Sequence, residues 1–197
     1  MTVLPENVIC YPLPDTEINS AVTFAYHALT HRHSNPRVDP LNRYIQVVMD
    51  ELAERMVIQW LQTNGKFAES AVDKGATNPD LSHEIWVTDI RGVKVRAAIH
   101  TFLSTNKSEM PEMLESHSLS VETDHLCGIN FSVVYWLQLR EKPRVKLPSL
   151  QQSAIIGWAS DKNFREAAKA QPANGGKYAA LKLGDLRPVE ELLQFLV

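Results

Sequence analysis

The segment Gly128–Leu139, GINFSVVYWLQL, constrains the chain more than any other. Apolar side chains occupy consecutive positions at its centre, so neither face of a strand built there can be left to water. The pattern calls for a buried, central strand, and the rest of the chain must supply its sheet.

The clearest helix stands well before it. Asp39-Pro40 gives a start. Leu41, Ile45, Val48, Leu52, Met56 and Trp60 follow at helical spacing, and Val47, Met49, Val57 and Leu61 widen the stripe. Asn64-Gly65 offers a left-handed stop. A shorter helix runs from Asp15 to about Thr30, with Ile18, Val22, Ala25 and Leu29 on one face. Pro5, Pro12 and Pro14 keep residues 1–14 extended and out of the middle of a sheet. Residues 66–80, with Gly75 and Asn78-Pro79, read as an excursion or a weakly formed strand. After the hairpin come the polar stretch Ser104–Glu122, a linker or a short helix around Met110–Leu114, and the central strand. Then follow a strand at Ser153–Ala159, a helix from Ser160 to about Lys169, a strand at Lys177–Leu183 and a last helix at Val189–Leu196. This order predicts an α/β (α+β) protein with a central mixed sheet of about four to five strands flanked by helices. A length of 197 residues suits one domain, read as an arm and short helix (1–40) and a main domain (41–197).

The hairpin HEIWVTDIRGVKVRAAIHTFLST spans His83–Thr105. A two-residue turn at Arg91-Gly92 would set Ile85 opposite Ala98 and His83 opposite His100. Trp86, Ile90, Val93, Val95 and Ile99 would then share the apolar face, and His83, Asp89, Lys94, Arg96 and His100 the other. Asp89 and Lys94 would pair across the turn. A bulge would shift the pairing by one and bring Glu84 beside His100. Both registers stay open.

Charge narrows the partners only weakly. The net value is −3, which gives no global attraction to nucleic acid or anionic membrane. The distribution is uneven: 17 acidic against 11 basic side chains over 1–140, and 6 against 9 over 141–197. Cys10 and Cys127 lie far apart beside apolar residues, as buried free thiols in a reducing compartment would. No apolar run approaches the ~20 residues of a membrane span, and MTVLPENVICYPLP lacks the layout of a signal peptide. A cytoplasmic protein without a membrane segment is expected.

Three stretches carry a resemblance. DELAERMVIQWLQTNGKFA, IIGWASDKNF and KYAALKLGDLRPVEELLQFL resemble the opening helix and the tail of restriction-endonuclease-like proteins, the PD-(D/E)XK superfamily, of phage or mobile-element type. The resemblance covers about 41–197. It implies a nuclease fold and a divalent cation, magnesium, acting as Lewis acid on a phosphoryl oxygen. Residue by residue, it places Glu51 as the helix glutamate, with Glu54 as a rival one turn on. Glu84 falls near the strand aspartate, with Asp89 as the other candidate. The acidic-x-lysine triplet falls on Ala98-Ile99-His100. The implied catalytic set is therefore Glu51, Glu84 and His100, and the implied metal set Glu51, Glu84 and Asp89. Alanine cannot ligate, and histidine is not a permanent cation, so cleavage is expected to be impaired or absent.

Other patterns point less sharply. The loop REKPRVK brings Arg140, Lys142, Arg144 and Lys146 together as candidate phosphate contacts. His27 and His31 have an i, i+4 spacing that can grip zinc, and His33, His125 and Cys127 could complete a set, but no close cysteine pair supports it. Trp86, Trp136 and Trp158 read as core strand residues rather than base-stacking platforms. The expected role is a nuclease-fold protein acting on or binding DNA in a phage, mobile-element or defence setting. The alternative is a catalytically inactive α+β interaction subunit with a protein partner or a second copy of itself.

Overall fold

In a computed structural model of the protein, residues 2–30, 39–74, 83–104, 110–123, 126–138, 149–170 and 178–197 are described. The expectations for His31, His33, His125, Arg140, Lys142, Arg144, Lys146 and the side chain of Trp136 lie outside the described residues.

A six-stranded mixed sheet organises the chain. Its strands are β1 (Ile9–Pro12), β2 (Ala68–Ser70), β3 (Glu84–Thr88), β4 (Lys94–Ser104), β6 (Ile129–Gln138) and β7 (Ser149–Ser160). They stand in the order β1-β7-β6-β4-β3-β2. Only β4 and β6 run parallel. Strand β6, the doubly apolar segment, is central as its composition demands. Phe131, Val133 and Tyr135 face one core, and Val134 the other. The α+β class with a mixed sheet is thus as expected. The sheet has six strands rather than four to five: each edge gains a short one, while the expected final strand, Tyr178–Lys182, lies in a separate two-stranded sheet. Proline-bearing β1 is tolerated at an edge, where a missing N–H leaves no ladder bond unmade. β2 is only three residues long.

Helices α1 (Asp15–Thr30) and α2 (Pro40–Thr63) cover one face. Asp39 caps α2 by accepting from the Leu41 amide at 3.0 Å, and Gly65 takes φ 72° just past its end. Its apolar stripe is buried from Val47 to Leu61, but Leu41 and Ile45 remain exposed. α1 seats Ala21 and Ala25 in the same core. On the other face lie α3 (Met110–Ser116), α4 (Asp161–Ala170) and a two-stranded antiparallel sheet of β5 (Ser118–Glu122) and β8 (Tyr178–Lys182). Met113, Leu119, Phe164 and Ala179 pack there against Val134, Ala154 and Ile156. The last apolar segment is a 3-10 helix, Val189–Phe195.

The Gly-Trp step of β7 has a steric cause. A Cβ on Gly157 would lie 2.6 Å from the Arg187 carbonyl oxygen and 2.9 Å from Val3 Cγ2. Only glycine lets residues 186–187 close on β7, where Trp158 and Arg187 exchange backbone hydrogen bonds of 3.0 and 2.9 Å.

The hairpin register corrects both expectations. The Asp89 carboxylate accepts from the amides of Arg91 and Val93, each at 2.9 Å, and Gly92 takes φ 77°. These bonds fix a three-residue loop closed by a left-handed glycine. Pairing becomes Glu84↔Ala98, Ile85↔Ala97, Trp86↔Arg96 and Val87↔Val95. Ile85 and Val87 therefore enter the core under α2. Trp86 turns to the opposite face, where the Arg96 guanidinium lies 5.1 Å from its ring. Nor does Asp89 pair with Lys94: Asp89 holds Arg91 at 2.7 Å, and Lys94 holds Glu69 at 2.8 Å.

Candidate metal centre

Strand alternation decides which predicted residues can meet. Successive side chains of a strand point to opposite faces. On β4, Ile99 joins the core beneath α2, whereas Phe102 packs on the other side. Glu84 and His100 thus lie on the face away from α2, and Glu51 lies on α2 itself. Glu84 is paired with Arg96 at 3.1 Å, and His100 Nε2 lies 3.2 Å from Asn130 Oδ1. Asp89 is engaged by its own turn. The structure therefore does not bring together Glu51, Glu84 and His100, and the implied magnesium ligands Glu51, Glu84 and Asp89 do not form one set.

The face bearing Glu84 is a hydrogen-bonded polar seam. Asn130 donates to the carbonyls of Cys127 (2.7 Å) and Ala159 (3.3 Å) and accepts from the Cys127 amide (3.2 Å). The Cys127 thiol lies 3.7 Å from a Glu84 oxygen. Burial, then the Glu84 charge, push that thiol up to about 11. Such a thiol is neither a nucleophile nor a ready ligand at neutral pH. Cys10 is exposed rather than buried.

A different cluster forms under α2. Glu51 and Glu54 are one turn apart and share a face; their side chains are 0% and 1% exposed. Such burial of charge is costly unless it is paired. Lys74 supplies the pairing, its ammonium 2.7 Å from Glu51 Oε2 and 2.9 Å from Glu54 Oε1. Arg55 holds the other Glu51 oxygen at 2.7 Å and reaches Glu17 (3.3 Å) and Ser20 (2.8 Å) on α1. His83, just before β3, enters from the sheet. Its ring nitrogens stand 3.6 Å from Asp50 Oδ2 and from Glu54 Oε2. Asp50 also accepts from Thr101 on β4 and, at 2.8 Å, from Gln46.

Three acidic side chains here have different environments. Burial raises Asp50 above the ordinary aspartate value, only partly offset by His83, Thr101 and Gln46. Burial would raise Glu54 too, but the His83 ring and the Lys74 charge outweigh it and hold that carboxyl below its usual value. Glu51, Glu54 and His83 each offer a ligand atom within 4.8 Å of the other two. They are the one such trio of His, Cys, Asp or Glu among the described residues.

Part of this cluster is visible in the sequence. Glu51 and its rival Glu54 stand out on the flank of the stripe, and both are present. Asp50, Lys74, His83 and Thr101 are members that sequence reasoning does not find. Lys74 sits in a stretch without periodicity, and a two-residue turn would put His83 on the wrong side. No protein-family model, curated protein or solved structure matches the chain. Among the described residues, no helix is long and apolar enough to cross a membrane.

Proposed function

We propose that the protein is a nuclease-like α+β protein that binds DNA without cleaving it, of the kind used by phage, mobile elements or defence systems. The observation that carries this reading is the separation of Glu84 and His100 from Glu51 by the sheet. Ala98 then leaves no carboxylate at the acidic-x-lysine position. The order of elements supports the scaffold half: a long opening helix, an antiparallel hairpin beneath it, a parallel third strand, then a Gly-Trp strand, helix and strand. Arg140, Lys142, Arg144 and Lys146 carry the proposed phosphate contacts, and the basic balance of 141–197 favours that end.

Incubation of supercoiled plasmid with the purified protein and magnesium or manganese is expected to give no nicked or linear product. Binding to duplex DNA should weaken with salt. Alanine at the four basic positions should flatten the slope by about 0.9 for each phosphate no longer neutralised. Metal-dependent cleavage abolished by Glu84→Ala or His100→Ala would overturn the reading. A second reading, an interaction subunit, is favoured by exposed Phe67, Ile90, Val93, Phe195 and Val197. Backbone hydrogen bonds link Ile90 to Phe195 and Phe67 to Val197, so these apolar side chains cluster where the hairpin turn meets the C-terminal residues. Absence of DNA binding at low salt would select it.

A further inference from the structure

We infer that Glu51, Glu54 and His83 form a binding site for a divalent transition-metal ion, in which the Lys74 ammonium is the resident cation that the metal displaces. The donor set is two carboxylates, i and i+3 on α2, and one imidazole delivered from the sheet. Their ligand atoms lie within 4.8 Å of one another. An ion bound at ~2.0–2.2 Å holds three N and O ligands about 3–3.6 Å apart, so side-chain rotations that draw these atoms about 1–2 Å closer close the site. The carboxylates are fixed by helical geometry rather than by a loop, which favours a defined coordination shape.

Acidic side chains alone would not make this a site. The independent observation is His83. Its side chain is 9% exposed, and its buried Nε2 has no hydrogen-bond partner. A buried imidazole nitrogen without a hydrogen bond costs free energy, and its 3.6 Å contact with the Asp50 carboxylate is too long to supply one. Glu54 Oε1 is in a related condition: Lys74 Nζ is 2.9 Å away, yet the oxygen receives no hydrogen bond of acceptable geometry. The other nitrogen of the His83 ring, Nδ1, faces the second Glu54 oxygen at 3.6 Å.

Lys74 shows that the space selects positive charge. Its ammonium touches both glutamates, and its side chain is 26% exposed. The head can therefore move to water along a flexible stem while a divalent ion takes its place. Mixed nitrogen and oxygen donors suit manganese, iron, cobalt and zinc. Magnesium prefers oxygen alone and retains several waters, so it should be discriminated against.

The inference stands apart from the proposed function. Metal affinity is read by calorimetry and spectroscopy, DNA cleavage by product formation, and either can fail alone. The experiment uses the full chain after chelator treatment, titrated with zinc, manganese, cobalt or magnesium chloride. Expected results are one equivalent of zinc, manganese or cobalt bound, a rise in Tm, and no comparable response to magnesium. Cobalt should give visible bands of a nitrogen-and-oxygen environment. Glu54→Gln and His83→Asn should each weaken binding at least tenfold. Lys74→Met, which removes the competing cation, should tighten it about tenfold. Absence of binding to both native protein and folded Lys74→Met would overturn the site. So would binding left unchanged by Glu54→Gln and His83→Asn, since the ion would then lie elsewhere.

Discussion

Replacing Lys74 by methionine tests whether the buried ion cluster stabilises the fold. The substitution keeps most of the aliphatic stem and deletes the ammonium that bridges Glu51 and Glu54. Breaking a buried ion pair by removing one partner costs about 3–5 kcal/mol. Two features place this case lower. Lys74 is partly exposed at 26%, which admits solvent screening. Glu51 also keeps Arg55 at 2.7 Å, so Glu54 is the carboxylate left short. A loss of about 2–3 kcal/mol follows from that comparison. At ~2–4 °C per kcal/mol for a chain of this size, Tm should fall by roughly 4–12 °C in chelator-containing buffer. Glu54 is held below the ordinary carboxylate value by His83 and Lys74 against burial. Its contribution is therefore present above the ordinary glutamate range and lost as pH falls through the lowered value. The gap between native protein and variant should narrow on acidification, and adding Glu54→Gln should recover at least half of it. Urea melts at several pH values measure each quantity. A difference below ~0.5 kcal/mol at neutral pH would refute the argument, because that is what an exposed pair contributes.

Gly157→Ala should destabilise by about 1–3 kcal/mol in thermal melts, because the new Cβ would meet backbone at 2.6 Å and Val3 at 2.9 Å. Tyr135→Phe should cost about 1–2 kcal/mol, since the buried Tyr135 hydroxyl donates to the Met49 carbonyl at 2.7 Å; an unchanged urea midpoint would contradict this. For the thiols, mass spectrometry after alkylation near pH 8 should find exposed Cys10 modified and Cys127 spared until the protein unfolds. Because folding raises the Cys127 value from 9.0 to about 11, the unfolded chain releases the proton first. Native stability should then fall across that interval more steeply than that of Cys127→Ser.

Local chemistry is what the sequence makes legible. The start of α2 at Asp39-Pro40, its stop at Asn64-Gly65 and the central place of β6 each follow from residues adjacent in sequence, and each is present in the fold. Strand β8 is legible in the same way, but β5 and the pairing of the two are not. The two strands lie 56 residues apart in the Tyr178–Glu122 contact, and β5 is polar at alternate positions like the loops around it. Lys74 is hidden for a similar reason. It matters only through a contact 23 residues back in sequence, with a glutamate whose burial the sequence does not disclose.

The hairpin shows how one side chain can redirect a functional argument. Arg91-Gly92 alone suits a two-residue turn. Asp89 changes the outcome by accepting two turn amides, which adds a residue to the loop and slides the pairing by one. With a side-chain period of two, that single step exchanges the faces of β3. Ile85 and Val87 go under α2, together with His83 at the strand's beginning, while Glu84 leaves. That step brings His83 to Glu51 and Glu54 and leaves Glu84 with His100 on the other face, so the expected triad of Glu51, Glu84 and His100 is not assembled. The chemistry open to this face thus depends on loop length at Asp89, a residue that belongs to neither set as the structure arranges them.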